Sequence, residues 1–393
     1  MQHQHNLTEL GLARLRLFQT FCLPTLRAQT NPNFLWILYV DPQLVDEVKQ
    51  PLLESLHNQS NILVVPTLQH YSLRQGIVSI GGHDNKNHFW SGDVDLVMRY
   101  YEASRTRILI DTRLDADDGL AIDYVNRIQQ RVQQDFLPAT ITNNSNHTHP
   151  NDNEAMQRPW NVYCVLQHTE WHHTMRQPQP QQPKDNNNNN KNNNPYSSLG
   201  YMITRPKGDN KCITPGLTMA FGPKASHKTI SMQSLPHSRI AHVVPECSSS
   251  KGNNKLHCWQ HIYRHVPGAI RARTPTSAGM DRVRPVLVAN HNNDNPSNNN
   301  NNDSTTAAAA AAIVAVAASP QESKWNQWET TFGINRTVVR ETQLYFLQHL
   351  SRIAKDNLKG QCTAGHSCKR SAKQALRGMI STPLQQPQPQ QGM

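Results

Sequence analysis

A chain of 393 residues with 36% apolar residues, a net charge of +11 and a mean hydropathy of −0.67 has the length for two or three domains. Its longest apolar run, Ala307 to Ala318, is 12 residues against the roughly 20 that a spanning helix needs, which excludes a membrane-embedded body. Asn-, Gln-, Pro- or Ala-biased stretches at 139–160, 174–197, 290–323 and 381–393 withdraw 93 residues from any core; what remains suffices for one large α/β domain or two small ones.

In chain order, Leu10, Ala13, Leu17, Phe18 and Phe21 recur at helical spacing and predict a first helix to about Gln29, which Pro24 kinks or ends. The apolar run Phe34 to Val40 fits a strand buried on both faces. Asp41-Pro42 predicts the start of a second helix, to about Leu56, because Asp caps and Pro suits a first turn. Ile62 to Val65 is a second buried strand, 66–92 a long polar loop, and Asp93 opens a helix through Val97 and Tyr100. Arg107 to Asp111 is a third strand, broken by the acidic stretch Arg113 to Gly119, after which Ala121 to Val132 reads as a helix.

Strands separated by single helices imply a Rossmann-like, mostly parallel sheet with helices on both faces, and ligands bind such sheets at the carboxyl ends of the strands. The second half is less regular. Trp160 to Val165 and Leu217 to Phe221 read as short strands, Cys258 to His265 as a helical turn and Thr337 to Lys359 as an amphipathic helix. The asparagine blocks between them read as disordered surface insertions.

Asp115, Asp117 and Asp118 lie within four residues directly after an apolar strand. Carboxylates that close repel one another unless they share a cation, and hard oxygen ligands suit Mn²⁺ or Mg²⁺. Such an ion neutralises the diphosphate of a nucleotide-sugar donor as it leaves. The alternative is an acidic turn that caps the next helix.

The segments Phe21-Cys22-Leu23-Pro24-Thr25-Leu26-Arg27-Ala28-Gln29-Thr30, Phe34-Leu35-Trp36-Ile37-Leu38 and Thr112-Arg113-Leu114-Asp115-Ala116-Asp117-Asp118-Gly119-Leu120-Ala121 resemble the putative rhamnosyltransferase family. The resemblance spans about residues 12–135 and continues more loosely through Gly216-Leu217-Thr218, Ser234 to Arg239 and 325–340. Members of that family are similar to GT-A glycosyltransferases. The resemblance implies a GT-A-like α/β domain and transfer of a hexose or deoxyhexose from a nucleotide-sugar donor to a glycan or other hydroxyl acceptor. It also implies that Asp115 and Asp117 match the Asp-x-Asp metal positions, with Asp118 completing the run. Arg113 either contacts the donor phosphates or orients the carboxylates. The strand with which a GT-A domain begins has no counterpart ahead of the first helix, and a noncatalytic binding protein on a degenerate GT-A scaffold is the rival reading.

On this reading the chain divides into a nucleotide-sugar-binding half at 1–138 and an insertion at 139–197 with a short strand near 160–168. An acceptor-side half at 198–289, a second insertion at 290–323, a basic helical region at 324–380 and a Gln/Pro tail at 381–393 follow. His237, then His242, is the expected late metal ligand, and Glu170, following a strand end, the expected general base, with Asp209 or Glu246 as substitutes. A helix over His257 to His265 would place His261 and His265 on one face, but no Cys sits two to four residues from Cys258 to complete a zinc site. Trp171, Trp259, Trp325 and Trp328 read as core packing before sugar stacking.

The last 70 residues carry ten Lys/Arg and three Asp/Glu, a basic tail that reads as a solvated helix face, and no nucleic-acid-reading motif accompanies it. Seven cysteines spread through the chain make no disulfide framework. MQHQHNLTEL has no signal-peptide pattern, so a Golgi-type lumen and membrane association are expected only with an upstream anchor, and the cytoplasm otherwise.

Overall fold

The computed structural model describes residues 7–67, 89–136, 160–173, 201–205, 215–223, 225, 259–274, 276 and 320–363. The chain opens with α1 (Thr8–Leu17), a π-helical turn (Phe18–Cys22) and α2 (Leu23–Arg27) in unbroken succession. Pro24 neither kinks nor ends the helix at its own position. It sits in the first turn of α2, just after the wide π turn in which the Leu23 N–H reaches Phe18 O, so its missing N–H breaks no regular bond.

The strand β1 (Trp36–Val40), α3 (Asp46–Ser55) and β2 (Ile62–Pro66) form a β-α-β unit in which β1 and β2 pair in parallel, Trp36 opposite Ile62 and Val40 opposite Pro66. The helix starts at Asp46, later than Asp41-Pro42 predicts. The Asp41 side chain accepts from Gln43 N at 2.9 Å and its carbonyl from Leu44 N, so the expected cap closes a turn instead. Asp93 does cap α4 (Val94–Thr106), accepting from Asp95 N and Leu96 N.

The remaining elements are β3 (Leu109–Arg113), β4 (Asp118–Leu120), α5 (Tyr124–Phe136), β5 (Trp160–Val165), β6 (His168–His172), β7 (Tyr201–Arg205), β8 (Leu217–Phe221), β9 (Trp259–Ile262), β10 (Ala269–Arg273), α6 (Pro320–Phe332) and α7 (Arg336–Thr363). They build two four-stranded sheets, in the orders β3-β8-β5-β9 and β4-β10-β6-β7. The fold is mixed α/β, but the pairing differs from a mostly parallel sheet: three described pairs are parallel and four antiparallel. The cause is β8, which runs against β3 and β5 and separates them, although β3, β5 and β9 all point the same way. Residues 259–262 are extended rather than helical because they continue the ladder beside β5. His261 and His265 therefore share no helix face, which removes the geometry a zinc pair would need.

Strand alternation sorts the apolar side chains onto two layers. Ile37, Tyr39, Leu63, Val65, Leu109, Val162 and Met219 pack with Val97 and Tyr100 of α4. Leu38, Val40, Val64, Ile110, Tyr163 and Ala220 pack on the other side with residues of α1, α3, α5, α6 and α7. Helices thus cover both faces. Trp171, Trp325 and Trp328 are buried in the second layer, the last two edge to face with centroids 5.2 Å apart, so they are core residues. Cys164 is disulfide-bonded to a cysteine whose side chain lies outside the described residues, so the cysteines do form a bridge, while Cys22 is free and buried.

Candidate metal centre

Three times the chain steps from the first sheet straight into the second: from β3 to β4 through 114–117, from β5 to β6 through 166–167, and from β9 to β10 through 263–268. These links meet along one seam. Leu166 N donates to Ile262 O, Gln167 N to Tyr263 O, Gly268 N to Gln167 O and Ala121 N to Gly268 O. The acidic turn is therefore one strand-end connection of a seam at the carboxyl ends of β3, β5 and β9, where a ligand of such a sheet would sit.

The first helical segment clasps this turn from below. Thr25 Oγ1 accepts from Leu120 N at 3.2 Å, and Gln29 spans the start of α5, its Nε2 donating to Ala121 O at 2.8 Å while its Oε1 accepts from Val125 N at 2.9 Å. The latter bond satisfies a helix-terminal N–H that has no partner within its own helix. Gly119 is required by this contact: a Cβ there would lie 2.7 Å from Thr25 Cγ2 and 2.8 Å from Phe21 O. Above the turn, Tyr124 OH bonds Thr218 Oγ1 at 2.9 Å, and Thr218 bonds Thr112 at 2.6 Å, fixing the end of β3 to β8.

Within that frame Asp115, Asp117 and Asp118 each place a carboxylate oxygen within 4.8 Å of the others. Asp115 is exposed, Asp117 half-buried and Asp118 buried. Among the described residues this is the one group of three or more His, Cys, Asp and Glu that could hold a metal ion. Burial, and then Asp115, push the Asp117 carboxyl above its usual range, with Arg14 and Arg271 pulling it back. Burial, Asp117 and Asp115 push Asp118 up further, against Arg271 and the Ala272 N–H that its Oδ1 accepts at 3.3 Å. The same three charges, after burial, raise the Cys22 thiol. Two fully charged groups 4 Å apart near a protein surface cost about 4 kcal/mol. A donor set of hard oxygens with surplus negative charge fits a divalent cation of the Mg²⁺ or Mn²⁺ type.

Glu170 is in β6, two strands across from Asp118 at the same register: Asp118 opposes Arg271 of β10, which opposes Glu170. It is 1% exposed. Oε1 accepts from Arg273 Nη2 at 2.6 Å and Nε at 2.9 Å and lies 3.4 Å from His168 Nε2, and Oε2 lies 3.6 Å from His172 Nε2. Against the desolvation that raises it, the bonds from Arg273 and His168 and the nearby His172 ring hold its carboxyl far below the ordinary carboxylate range. A carboxylate so held is a weak proton acceptor, and its commitment to Arg273 describes a structural ion pair better than the base expected there.

Beside it, burial lowers the His173 pKa to about 4, with Nδ1 3.4 Å from Arg273 O. A histidine kept neutral in this way contributes stability that is complete above its unfolded value near 6.5 and is lost as pH falls toward about 4. The expected loss between neutral pH and about pH 4 is about 3 kcal/mol. In a series of melts from pH 7 to pH 4, His173→Gln should therefore show a flatter fall in Tm than the unaltered chain; parallel curves would refute this.

Arg113 ends β3, its carbonyl accepting from Gly216 N, directly before the acidic turn. His237, His242, Asp209, Glu246 and Cys258 lie outside the described residues. Thr25 and Gln29 carry no local sign of this role in the sequence, although they fall inside Phe21 to Thr30, the segment that carries the family resemblance. Arg14 and Arg271 gave no local signal, since nothing in their neighbours' spacing points toward residues 115–118. Residues 12–95 match the family model described as Putative rhamnosyl transferase, a span that contains the clasping segment and ends before the acidic turn. No curated protein and no solved structure matches the chain.

Proposed function

We propose that this chain is a metal-dependent glycosyltransferase that moves a sugar, of the rhamnose type by its family resemblance, from a nucleoside-diphosphate donor to a glycan or other hydroxyl acceptor. The observation that carries the reading is the contact between two separate stretches of sequence. The matched segment Phe21 to Gln29 holds the backbone of Gly119, Leu120 and Val125, and so sets the position of three convergent carboxylates at the seam. The family description supports the reaction class, and the clasp supports reading the acidic turn as its site.

Asp115, Asp117 and Asp118 would hold Mn²⁺ or Mg²⁺, and His237 is the candidate for a further ligand. The ion, when bound, neutralises the charge that builds on the departing diphosphate. Arg113 stands at the strand end where it can pair with phosphate or with the carboxylates. Glu170 and Arg273 neutralise each other on the adjoining sheet face, which makes Glu170 a positioning residue on this reading and leaves the acceptor's proton to another group.

The full-length chain should gain thermal stability from UDP or dTDP only when Mn²⁺ is present, by about 2.7 kcal/mol once ligand reaches a hundred times its Kd. With Mn²⁺ and a panel of nucleotide sugars it should hydrolyse or transfer at least one. A chain that melts identically with and without Mn²⁺ and nucleotide is a noncatalytic scaffold.

A further inference from the structure

We infer that Arg271 is a diphosphate-binding residue, the anion-holding half of the site whose cation-holding half is the acidic turn. This rests on the reading of Asp115, Asp117 and Asp118 as a metal site and extends it to the sheet face beside them.

Across β4, β10 and β6 the register sets Asp118, Arg271 and Glu170 in one row on one sheet face, with Arg273 two residues along from Arg271 on that same face. Three of these four charges are committed. Glu170 and Arg273 bind each other, and Asp118 accepts from the Ala272 N–H. The Arg271 guanidinium has no hydrogen bond or ion pair with any described residue, and it is half-buried, within reach of a ligand. Its charge is felt at both Asp117 and Asp118, which places it beside the carboxylates without being bonded to them.

The charge balance says what it awaits. Arg14 and Arg271 both act on the acidic turn, and a divalent cation held there would add two further positive charges, so an anion is the partner this face selects. A planar fork of N–H donors next to a hard cation matches two oxygens of a phosphate group, and a diphosphate can bridge the two. Free pyrophosphate and a nucleoside diphosphate share that chemistry.

The test is titration calorimetry on the full chain with Mn²⁺ alone, then Mn²⁺ with inorganic pyrophosphate, UDP or dTDP, comparing Arg271→Gln, Arg271→Lys and the exposed control Arg264→Gln. Loss of a charged bidentate contact should weaken pyrophosphate binding by about ten- to a hundredfold in Arg271→Gln. Arg271→Lys should lose several-fold, since a point charge cannot reproduce the fork. Mn²⁺ alone should bind Arg271→Gln as tightly or more tightly, because a competing positive charge is gone; a merely structural role would weaken both ligands together. Arg264→Gln should behave as the unaltered chain.

Unchanged pyrophosphate affinity in Arg271→Gln overturns the assignment, as does an equal loss of Mn²⁺ and pyrophosphate binding. If that variant fails to fold, Arg271→Lys decides: full pyrophosphate affinity in it overturns the assignment equally. Unaltered chain that binds Mn²⁺ and pyrophosphate through Arg271 but turns over no nucleotide sugar sinks the transferase and leaves this residue's role standing. Unaltered chain that binds no pyrophosphate overturns the assignment of Arg271, and one that also binds neither UDP nor dTDP in the presence of Mn²⁺ overturns the transferase as well.

Discussion

Asp117→Asn is expected to raise the melting temperature of the metal-free chain while erasing its response to Mn²⁺. Without a cation the Asp117 carboxylate is a liability, half-buried with Asp115 and Asp118 within 4.8 Å, and an amide of the same shape removes a negative charge without opening a cavity. With a cation the order reverses, because an amide oxygen is a weaker ligand than a carboxylate and leaves the ion with less compensating charge. Several kcal/mol of leaving-group stabilisation would go with it, so sugar transfer should fall by at least about a hundredfold. Paired melts with and without Mn²⁺ and nucleotide, alongside a transfer assay, check both halves. A variant less stable in the metal-free state, or one with undiminished turnover, defeats the metal reading, since a capping aspartate would lose stability on substitution and a residue that holds no ion would leave turnover unchanged.

The second large effect is expected at Glu170 and Arg273. Arg273→Ala removes the donor of two bonds to a carboxylate that is 1% exposed, leaving that charge buried among His168 and His172. Breaking a buried pair from one side costs about 3–5 kcal/mol, and the 31% exposure of the Arg273 side chain argues for the lower end, about 3 kcal/mol. At 2–4 °C per kcal/mol for a domain of this size, the melting temperature should drop by on the order of 10 °C. The double variant Glu170→Gln/Arg273→Met should lose less than the two single changes together, because neither charge is then stranded. The comparison also separates the two roles Glu170 can have. As a buried ion-pair partner, Glu170→Gln lowers stability at least as visibly as rate; as a general base, it would lower kcat at unchanged Tm.

Local pattern explains which parts of this molecule were legible. The helix through Leu10, Ala13, Leu17, Phe18 and Phe21, the strands at Trp36–Val40 and Ile62–Pro66, the Asp93 cap and the long helix beginning at Arg336 all announce themselves in periodicity or capping chemistry, which need no partner to be read. The three aspartates after an apolar strand were visible for the same reason. What local pattern cannot carry is pairing. The sequence 259–262 is polar enough to suggest a helical turn and becomes a strand only because β5 offers its edge. The reversed strand β8 between β3 and β5, and the three crossings that create the seam, depend on contacts made across 55 residues of chain (Tyr163 with Thr218) to 153 (Asp118 with Arg271). Glu170 stands out in the sequence for its place after a strand, yet its chemistry is set by Arg273 from another strand, 103 residues away.

The clasp from Thr25 and Gln29 onto Leu120 and Val125 joins positions 95 and 96 residues apart in the chain. Those two amides are shielded by side chains of the opening helical segment rather than by strand or helix neighbours of their own. Their exchange with solvent deuterium must therefore follow the fraying of that segment, and occupancy of the acidic turn should register as slower exchange at its far end, around Cys22 to Arg27. Anything that loosens the opening helical segment of the chain would in the same measure loosen the grip on an ion bound about a hundred residues downstream.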